Sequence, residues 1–195
     1  MARPREFDMN QALDAAISAF WAYGYEATSM ADLMRVMGLK KGSIYKAFAD
    51  KHDLFMQALA RYLEGANESM RLALESGRSP QEGIRIWLRM GVEMSQGQEM
   101  PRGCMALNSA VELGPHDQEV AEVLRRQYER IIVLLTATIK RGQDIGEFRA
   151  DLPAEHLAKS LHVFGAGMLA TSKAIDAEKF DLNEMAEFAL HLLSQ

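Results

Sequence analysis

Residues 28–51 have the sequence TSMADLMRVMGLKKGSIYKAFADK, and this stretch decides the fold. Within residues 30–37, apolar side chains recur at i, i+3, i+4 and i+7, which is the spacing of one helical face. Gly38 follows directly and predicts the end of that helix, because glycine readily adopts the left-handed conformation of a C-cap. A second amphipathic segment runs from about residue 42 to residue 49. The stretch therefore predicts two short helices joined by a tight turn.

The second of these helices has barely two turns, and helices shorter than roughly a dozen residues are not stable alone in water. It must therefore be held by packing, for which Ile44 and Phe48 supply an apolar face. Ser43 and several lysines lie off that face. Such a helix suits the major groove of DNA, which is about 12 Å wide and admits one helix. The pattern indicates a helix-turn-helix whose second helix contacts DNA, with an ordinary helical hairpin as the alternative.

The charge distribution favours the DNA-binding interpretation. Residues 35–51 carry five basic side chains and one acidic side chain, a local net charge of +4, whereas the whole chain has a net charge of −5. A basic patch on an acidic protein is an electrostatic footprint for phosphate. The negative total argues against a protein that coats nucleic acid along its whole surface.

Several short motifs stand at fixed spacing around this stretch. The predicted first helix ends in Tyr-Gly-Tyr at residues 23–25, Thr-Ser follows at 28–29, and GLKKGSIYKAFADK occupies 38–51. Over about residues 8–60 the chain resembles the DNA-binding domain of TetR-type transcriptional regulators (the TetR/AcrR family). Lys46 stands where that family often has His, and Met37 where a small residue is common. The rest of the chain resembles the family only in length and helical content.

The resemblance implies which residues contact DNA. The predicted set is Thr28, Ser29, Lys40, Lys41, Gly42, Ser43, Tyr45, Lys46 and Lys51. Lysine and tyrosine mostly position a protein on phosphates, while a short side chain such as Ser43 allows close approach to base edges. Thr28 and Ser29 are also expected to cap the next helix, and Thr28 and Lys51 to contact phosphates. Arg3 and Arg5 form a basic arm that either reaches DNA or is a solubilising tail.

The predicted fold class is all-α, with about nine helices. Residues 1–49 are expected to form a three-helix helix-turn-helix domain, and residues 50–195 a helical ligand-binding and dimerisation domain. We place the boundary before the long helix that begins near Asp50, because this connecting helix is expected to move with the second domain. No stretch approaches the eighteen or so apolar residues of a membrane helix. The single cysteine and the lack of a signal peptide favour the cytoplasm.

By resemblance, the second domain binds a small molecule. The predicted ligand-binding residues are Trp87, Met90, Met94, Met105, Asn108, Phe164 and Met168. The chain has 13 methionines, which adapt to irregular cavities, so a largely apolar effector is expected. Asn108 and Glu112 are candidate polar anchors. The alternative for the apolar residues is plain core packing, and for these two polar residues surface or dimer contacts.

Cys104 is a candidate reactive thiol, because it follows Arg102 and Gly103 at a predicted helix start. Helix N-termini and nearby cations favour the reactive thiolate. Some TetR-like regulators that sense electrophiles or oxidants carry a Gly-Cys pair in a comparable place. The alternative is a small buried apolar residue, which is how most free cysteines behave.

The sequence Gly165-Ala-Gly167 lies within an apolar helix, and small residues at that spacing let another helix approach closely. The last two helices are therefore expected to form a four-helix interface in a homodimer, with packing inside one chain as the alternative.

Catalysis has no support in the sequence. The five histidines are scattered, and HExxH, CxxC, GxSxG and Walker motifs are absent. No enzyme activity, cofactor or metal is therefore expected. The expected function is a ligand-responsive transcriptional regulator, a repressor released from double-stranded operator DNA by an inducer. A thiol-sensing repressor that uses Cys104 and a non-catalytic helical interaction protein remain the alternatives.

Overall fold

A computed structural model gives the fold and describes residues 7–96, 103–175 and 180–194, apart from the side chains of residues 95 and 96. In these ranges the chain forms nine α-helices and no strand, so the all-α prediction is confirmed. The helices are α1 (Met9–Tyr23), α2 (Met30–Met37), α3 (Lys41–Ala47), α4 (Lys51–Ser76), α5 (Pro80–Gln96), α6 (Met105–Glu112), α7 (Gln118–Asp144), α8 (Ala154–Thr171) and α9 (Leu182–His191). None of these helices is long and apolar enough to cross a lipid bilayer.

Five helices begin at a residue whose side chain accepts hydrogen bonds from the first turn. These residues are Asp8, Ser29, Asp50, Asp117 and Asp181. The first amides of a helix have no partner within the helix, so each oxygen satisfies a donor that would otherwise be unpaired. The starts of these five helices are therefore set by local sequence.

Two hydrophobic clusters form the core, and α4 contributes to both. The first cluster joins α1, α2 and α3 to the first half of α4, where Leu54 and Leu63 lie, and includes Met105 of α6. The second joins the later part of α4, from Met70 onward, to α5, α7, α8 and α9. The apolar core therefore does not divide at residue 49, since half of α4 packs with the N-terminal helices. The boundary at residues 49 and 50 stays a prediction about motion.

Gly142 on α7 allows a close approach of Phe148, whose side chain is fully buried. A Cβ at position 142 would lie only 2.1 Å from Cδ2 of that ring. We expect Gly142→Ala to lower the free energy of unfolding by about 1–3 kcal/mol, the usual cost of overpacking. Gly65→Ala is the matched control, because a Cβ there meets no atom within 4 Å. It should raise stability by about 0.5–1 kcal/mol, as alanine does within a helix.

Urea titration of the two variants and the wild type measures both effects. Equal stability of Gly142→Ala and the wild type would contradict the packing described for Phe148.

Candidate functional site

α3 is held in place by burial. Ile44 and Phe48 are 0% and 1% exposed, and they belong to the first cluster together with Leu33 of α2 and residues of α1 and α4. Gly38 forms the turn with φ +65°, and its N–H donates to the carbonyls of Met34 and Arg35. α3 has seven residues, from Lys41 to Ala47, and Phe48 leaves the helix in an extended conformation. The predicted packing of a short second helix against the first is therefore confirmed.

The outward side of α3 is basic. Lys40, Lys41, Tyr45 and Lys46 are exposed, and Ser43 is half-buried. None of the three lysines forms an ion pair with any residue that the structure describes. On α4 and α7, by contrast, several arginines are paired with carboxylates three or four residues away on the same helix. α3 therefore offers cations that no local carboxylate neutralises.

Ser29 and Asp32 fix the start of α2. The Ser29 hydroxyl accepts from the Asp32 N–H at 3.1 Å, and the Asp32 carboxylate accepts from the Ser29 N–H at 3.2 Å, which is a capping box. Hydrogen bonds from Ser29 and from Arg35 lower the pKa of Asp32 to about 2. Because Ser29 is exposed at a helix N-terminus, an anion could reach it there.

Thr28 and Lys51 hold the loop between α1 and α2. The Thr28 side chain is buried, and its hydroxyl donates to the carbonyl of Gly24 at 2.6 Å. Lys51 Nζ donates to the carbonyl of Tyr25 at 3.0 Å and lies 4.1 Å from the centroid of that ring. The Thr28 hydroxyl is turned away from the surface, and a phosphate contact of Thr28 stays a prediction. Lys51 is half-buried, and its phosphate contact stays a prediction.

A cavity of about 1000 Å³ lies among α1, α4, α5, α6, α7 and α8. Most of its lining is apolar, including two tryptophans and four methionines. Four residues predicted to bind ligand line it, namely Trp87, Met90, Met94 and Met168. Gly165 also lines it, with the Trp87 ring 4.0 Å from the position of a Cβ, while Gly167 is exposed.

Three of the residues predicted to bind ligand do not line this cavity, and their role stays a prediction. Met105 is 1% exposed and packs in the first cluster, because it lies on the side of α6 that faces the N-terminal helices. Phe164 packs in the second cluster, with its ring centroid 6.5 Å from that of Phe188. Asn108 accepts a hydrogen bond from Lys173 Nζ at 2.9 Å.

Three polar residues of the cavity wall were not predicted from the sequence, and of these Asn67 is buried while Gln127 and His162 are half-buried. Asn67 of α4 and Gln127 of α7 exchange two amide hydrogen bonds, at 2.9 and 2.8 Å. His162 lies against the Tyr128 ring, and burial lowers the pKa of its imidazole, which favours the neutral form. Asn67 lies in register with Leu63 and Met70 on the buried side of α4. A polar residue in an apolar stripe was the signal that could have revealed this position.

Charged groups of the cavity wall are paired or exposed. The Arg61 guanidinium donates two hydrogen bonds to the Asp14 carboxylate, at 2.6 and 2.9 Å. Glu64 is exposed. The described lining therefore presents no cation without a carboxylate partner. Arg102, Arg3 and Arg5 lie outside the described residues.

Cys104 lines the cavity and is half-buried. The Tyr62 hydroxyl donates to its Sγ at 3.6 Å, and burial raises the pKa of Tyr62, which keeps the phenol protonated. The Trp21 ring contacts Tyr62 edge-on, with centroids 5.3 Å apart. Tyr62 of α4 thus links Trp21 of α1 to Cys104 at the start of α6 in the cavity wall, an arrangement that the sequence did not reveal.

Two family profiles match the chain. The profile described as "Bacterial regulatory proteins, tetR family" matches residues 12–58. The profile described as "Tetracyclin repressor-like, C-terminal domain" matches residues 80–183. The two matches fall on either side of the middle of α4.

Relatives match over nearly the whole chain. YezE, an uncharacterized HTH-type transcriptional regulator of Bacillus subtilis (strain 168), is 33% identical over 99% of this chain and 100% of its own. ComR, an HTH-type transcriptional repressor of Escherichia coli (strain K12), is 30% identical over 88% of this chain and 82% of its own. A cysteine mutant of the TetR family transcriptional regulator CifR, complexed with 26-base-pair operator DNA, has a TM-score of 0.84 and 32% identity. That alignment covers 98% of this chain and 100% of CifR.

The depressed pKa of Asp32 predicts a pH dependence for the start of α2. Its carboxylate stabilises the fold fully above its unfolded pKa of about 3.9, and this contribution is lost as pH falls through the folded value. Wild type should therefore be more stable than Asp32→Asn at about pH 5, and the difference should shrink towards about pH 2. Thermal unfolding followed by circular dichroism measures this. A difference that stays constant over that range would contradict the capping role.

Proposed function

Because the chain belongs to the TetR family of bacterial transcriptional regulators, we propose that it is a DNA-binding repressor that a small molecule releases from its operator. The observation that carries this proposal is that α3 is fixed by buried side chains and has, on its outward side, lysines without ion-pair partners among the described residues. α4 joins this helix to a domain with a large apolar cavity. Repression is supported by ComR, which is named as a transcriptional repressor. The protein is a regulator and not an enzyme, and a cytoplasmic location is part of the proposal because the proposed target is DNA.

α3 enters the major groove of operator DNA, with its lysines on the phosphates and Ser43 nearest the base edges. The proposed contacts are Ser29, Lys40, Lys41, Gly42, Ser43, Tyr45, Lys46 and Lys51. Support comes from the exposure of most of these residues and from the CifR relative, which was solved on operator DNA. A dimer presents two such helices to half-sites about 34–36 Å apart on the duplex.

The homodimer forms through α8 and α9. These helices leave large apolar side chains in solvent in the single chain, with Val163, Phe188 and Leu192 exposed by 66%, 48% and 47%. Exposed apolar side chains on two adjacent helices are typical of an interface between copies. The exposed Gly167 of α8 adds a position at which a partner helix could approach closely.

The effector is an uncharged, largely apolar molecule. A cavity of about 1000 Å³ accommodates a drug-sized ligand. An anion entering it would lose its hydration without meeting an unpaired cation in the described lining, which is costly. The Asn67–Gln127 amide pair and the neutral His162 favour one or two hydrogen-bonding groups on the effector. An effector that prefers the DNA-incompetent arrangement of the two helix-turn-helix domains in the dimer by about 1–3 kcal/mol is enough for induction.

Replacing Lys41 and Lys46 together by alanine tests DNA binding. Each lysine on a phosphate releases counterions, so the double variant should bind its duplex more weakly and with a salt slope smaller by about 2. The measurement is fluorescence anisotropy over a range of salt concentrations, on a duplex selected from random DNA by the wild type.

Lys140→Ala is the matched control, because Lys140 lies on α7 and pairs with Asp144 there. Size-exclusion chromatography shows whether the dimer is kept. Equal affinity of the double variant and the wild type for the selected duplex would contradict the role of α3. A pure interaction protein would select no duplex.

The chain has two tryptophans, and both line the cavity, so their fluorescence reports its occupant. We expect the neutral apolar dye N-phenyl-1-naphthylamine to quench emission in both Trp21→Phe and Trp87→Phe, since each variant keeps one cavity tryptophan. Gly165→Trp, which fills the cavity beside Trp87, should weaken this binding at least tenfold. Anionic naphthalene sulfonate is the comparison ligand. If it bound better than the neutral dye, the uncharged effector class would be excluded.

A second candidate function is thiol sensing in the same cavity. The specific observation is that Cys104 lies half-buried in the wall, beside the Tyr62 hydroxyl and the apolar surface that would hold an electrophile. If alkylation of Cys104 left the affinity for the operator unchanged, thiol sensing would be excluded. Reversible binding of a small-molecule effector would then be the remaining function of the cavity.

A further inference from the structure

α6 is attached to the N-terminal helices at both of its ends. At its start, Trp21 Nε1 of α1 donates to the carbonyl of Gly103 at 3.1 Å. At its end, Glu112 accepts from two backbone N–H groups of the loop that leads into α2. Met105 and Leu113 add apolar contacts to the same cluster. α6 thus belongs to the second domain in sequence, but it is packed against and bonded to the first.

The Glu112 carboxylate binds the α1–α2 loop with both oxygens. Oε2 accepts from the Tyr25 N–H at 3.0 Å, and Oε1 accepts from the Glu26 N–H at 2.9 Å. Gly24 makes this approach possible, because it has φ +83° and a Cβ there would lie 2.8 Å from Oε2. Hydrogen bonds to an ionised acceptor are stronger than neutral ones. They also offset the unfavourable position of a carboxylate at a helix C-terminus.

The same short helix forms part of the cavity wall. Cys104, Ala106, Leu107 and Ala110 line the cavity, while Glu112 stands only two residues beyond the last of them. α6 has eight residues, so a displacement of its cavity side moves its end as well. An occupant that pushes on α6 therefore acts on the loop that positions α2.

We propose that Glu112 is the positioning residue through which the occupant of the cavity controls the orientation of the DNA-binding helices. The proposal rests on the proposed function and names its transmission step. α6 moves when the cavity fills, and the two hydrogen bonds of Glu112 carry that movement to residues 24–28 and on to α2 and α3. The α1–α2 loop is the sensitive point, because Lys51 of α4 and the Thr28 hydroxyl hold it from its other sides.

A covalent occupant tests this without knowledge of the effector. The chain has one cysteine, so N-phenylmaleimide at Cys104 places one apolar group in the cavity, and mass spectrometry confirms it. We expect the label to weaken binding to the selected duplex at least tenfold in wild type, within the usual range of allosteric coupling. In Glu112→Gln, which keeps the volume but loses the charge and one acceptor, the label should change affinity by less than about threefold.

Glu119→Ala is the control, because it removes a carboxylate from the exposed first turn of α7 and should respond to the label as wild type does. The ratio of labelled to unlabelled affinity is compared within each variant, so a change in basal affinity does not enter. Circular dichroism melting shows that Glu112→Gln is folded. Equal ratios in Glu112→Gln and wild type would overturn the proposal, and so would a label without effect on wild type.

Hydrogen exchange separates this proposal from the proposed function. Labelling should speed exchange of the Tyr25 and Glu26 amides in wild type, and at least one of these amides should already exchange faster in unlabelled Glu112→Gln, which keeps only one acceptor oxygen. Unchanged exchange in both cases would overturn the role of Glu112. If the proposed function were wrong, the unlabelled protein would select no duplex. The hydrogen-exchange result would still show whether Glu112 transmits the effect of the label to residues 25 and 26.

Discussion

Burial of Ile44 and Phe48 is the interaction on which the DNA-facing surface depends. α3 has seven residues and no side-chain cap, so its own hydrogen bonds cannot hold it. Two apolar side chains at i and i+4, both almost completely buried, fix its position and leave its lysines outward. Without this burial α3 would lose its fixed position, and its lysines would no longer be held on one surface. The position of the basic surface is therefore a consequence of packing. α1, α2 and α4 supply the apolar residues that bury Ile44 and Phe48.

Two helices connect that surface to the cavity, and they do so differently. α4 shares its length between both hydrophobic clusters, so its first half packs with the N-terminal helices and its second half with the larger domain. α6 is short. It lines the cavity on one side and packs against the N-terminal helices on the other. His52 of α4 also pairs with Asp117, the cap of α7, at 2.8 Å. The half of α4 that packs with the N-terminal helices is thus joined to the larger domain by a hydrogen bond to a carboxylate as well as by packing.

The cavity combines a large apolar surface with a few satisfied polar groups. Asn67 and Gln127 satisfy each other, and Tyr62 donates to Cys104, so these groups need no water or ligand to complete their hydrogen bonds. An effector must therefore compete with these existing bonds or leave them intact. This arrangement favours shape and apolar contact over charge as the basis of recognition.

The sequence by itself determined the helices, their caps and the basic second helix of the helix-turn-helix, because periodicity, capping residues and local charge are short-range properties. It also identified the family, since those motifs stand at fixed spacing. It could not decide which face of a helix meets which neighbour. Met105 was predicted to bind ligand and is buried in the first cluster, and Thr28 was predicted to contact phosphate and its hydroxyl turns inward. Those outcomes depend on how the helices pack, which only the tertiary structure decides. The same holds for the hydrogen bonds of Glu112 to Tyr25 and Glu26, which lie 87 and 86 positions earlier in the chain.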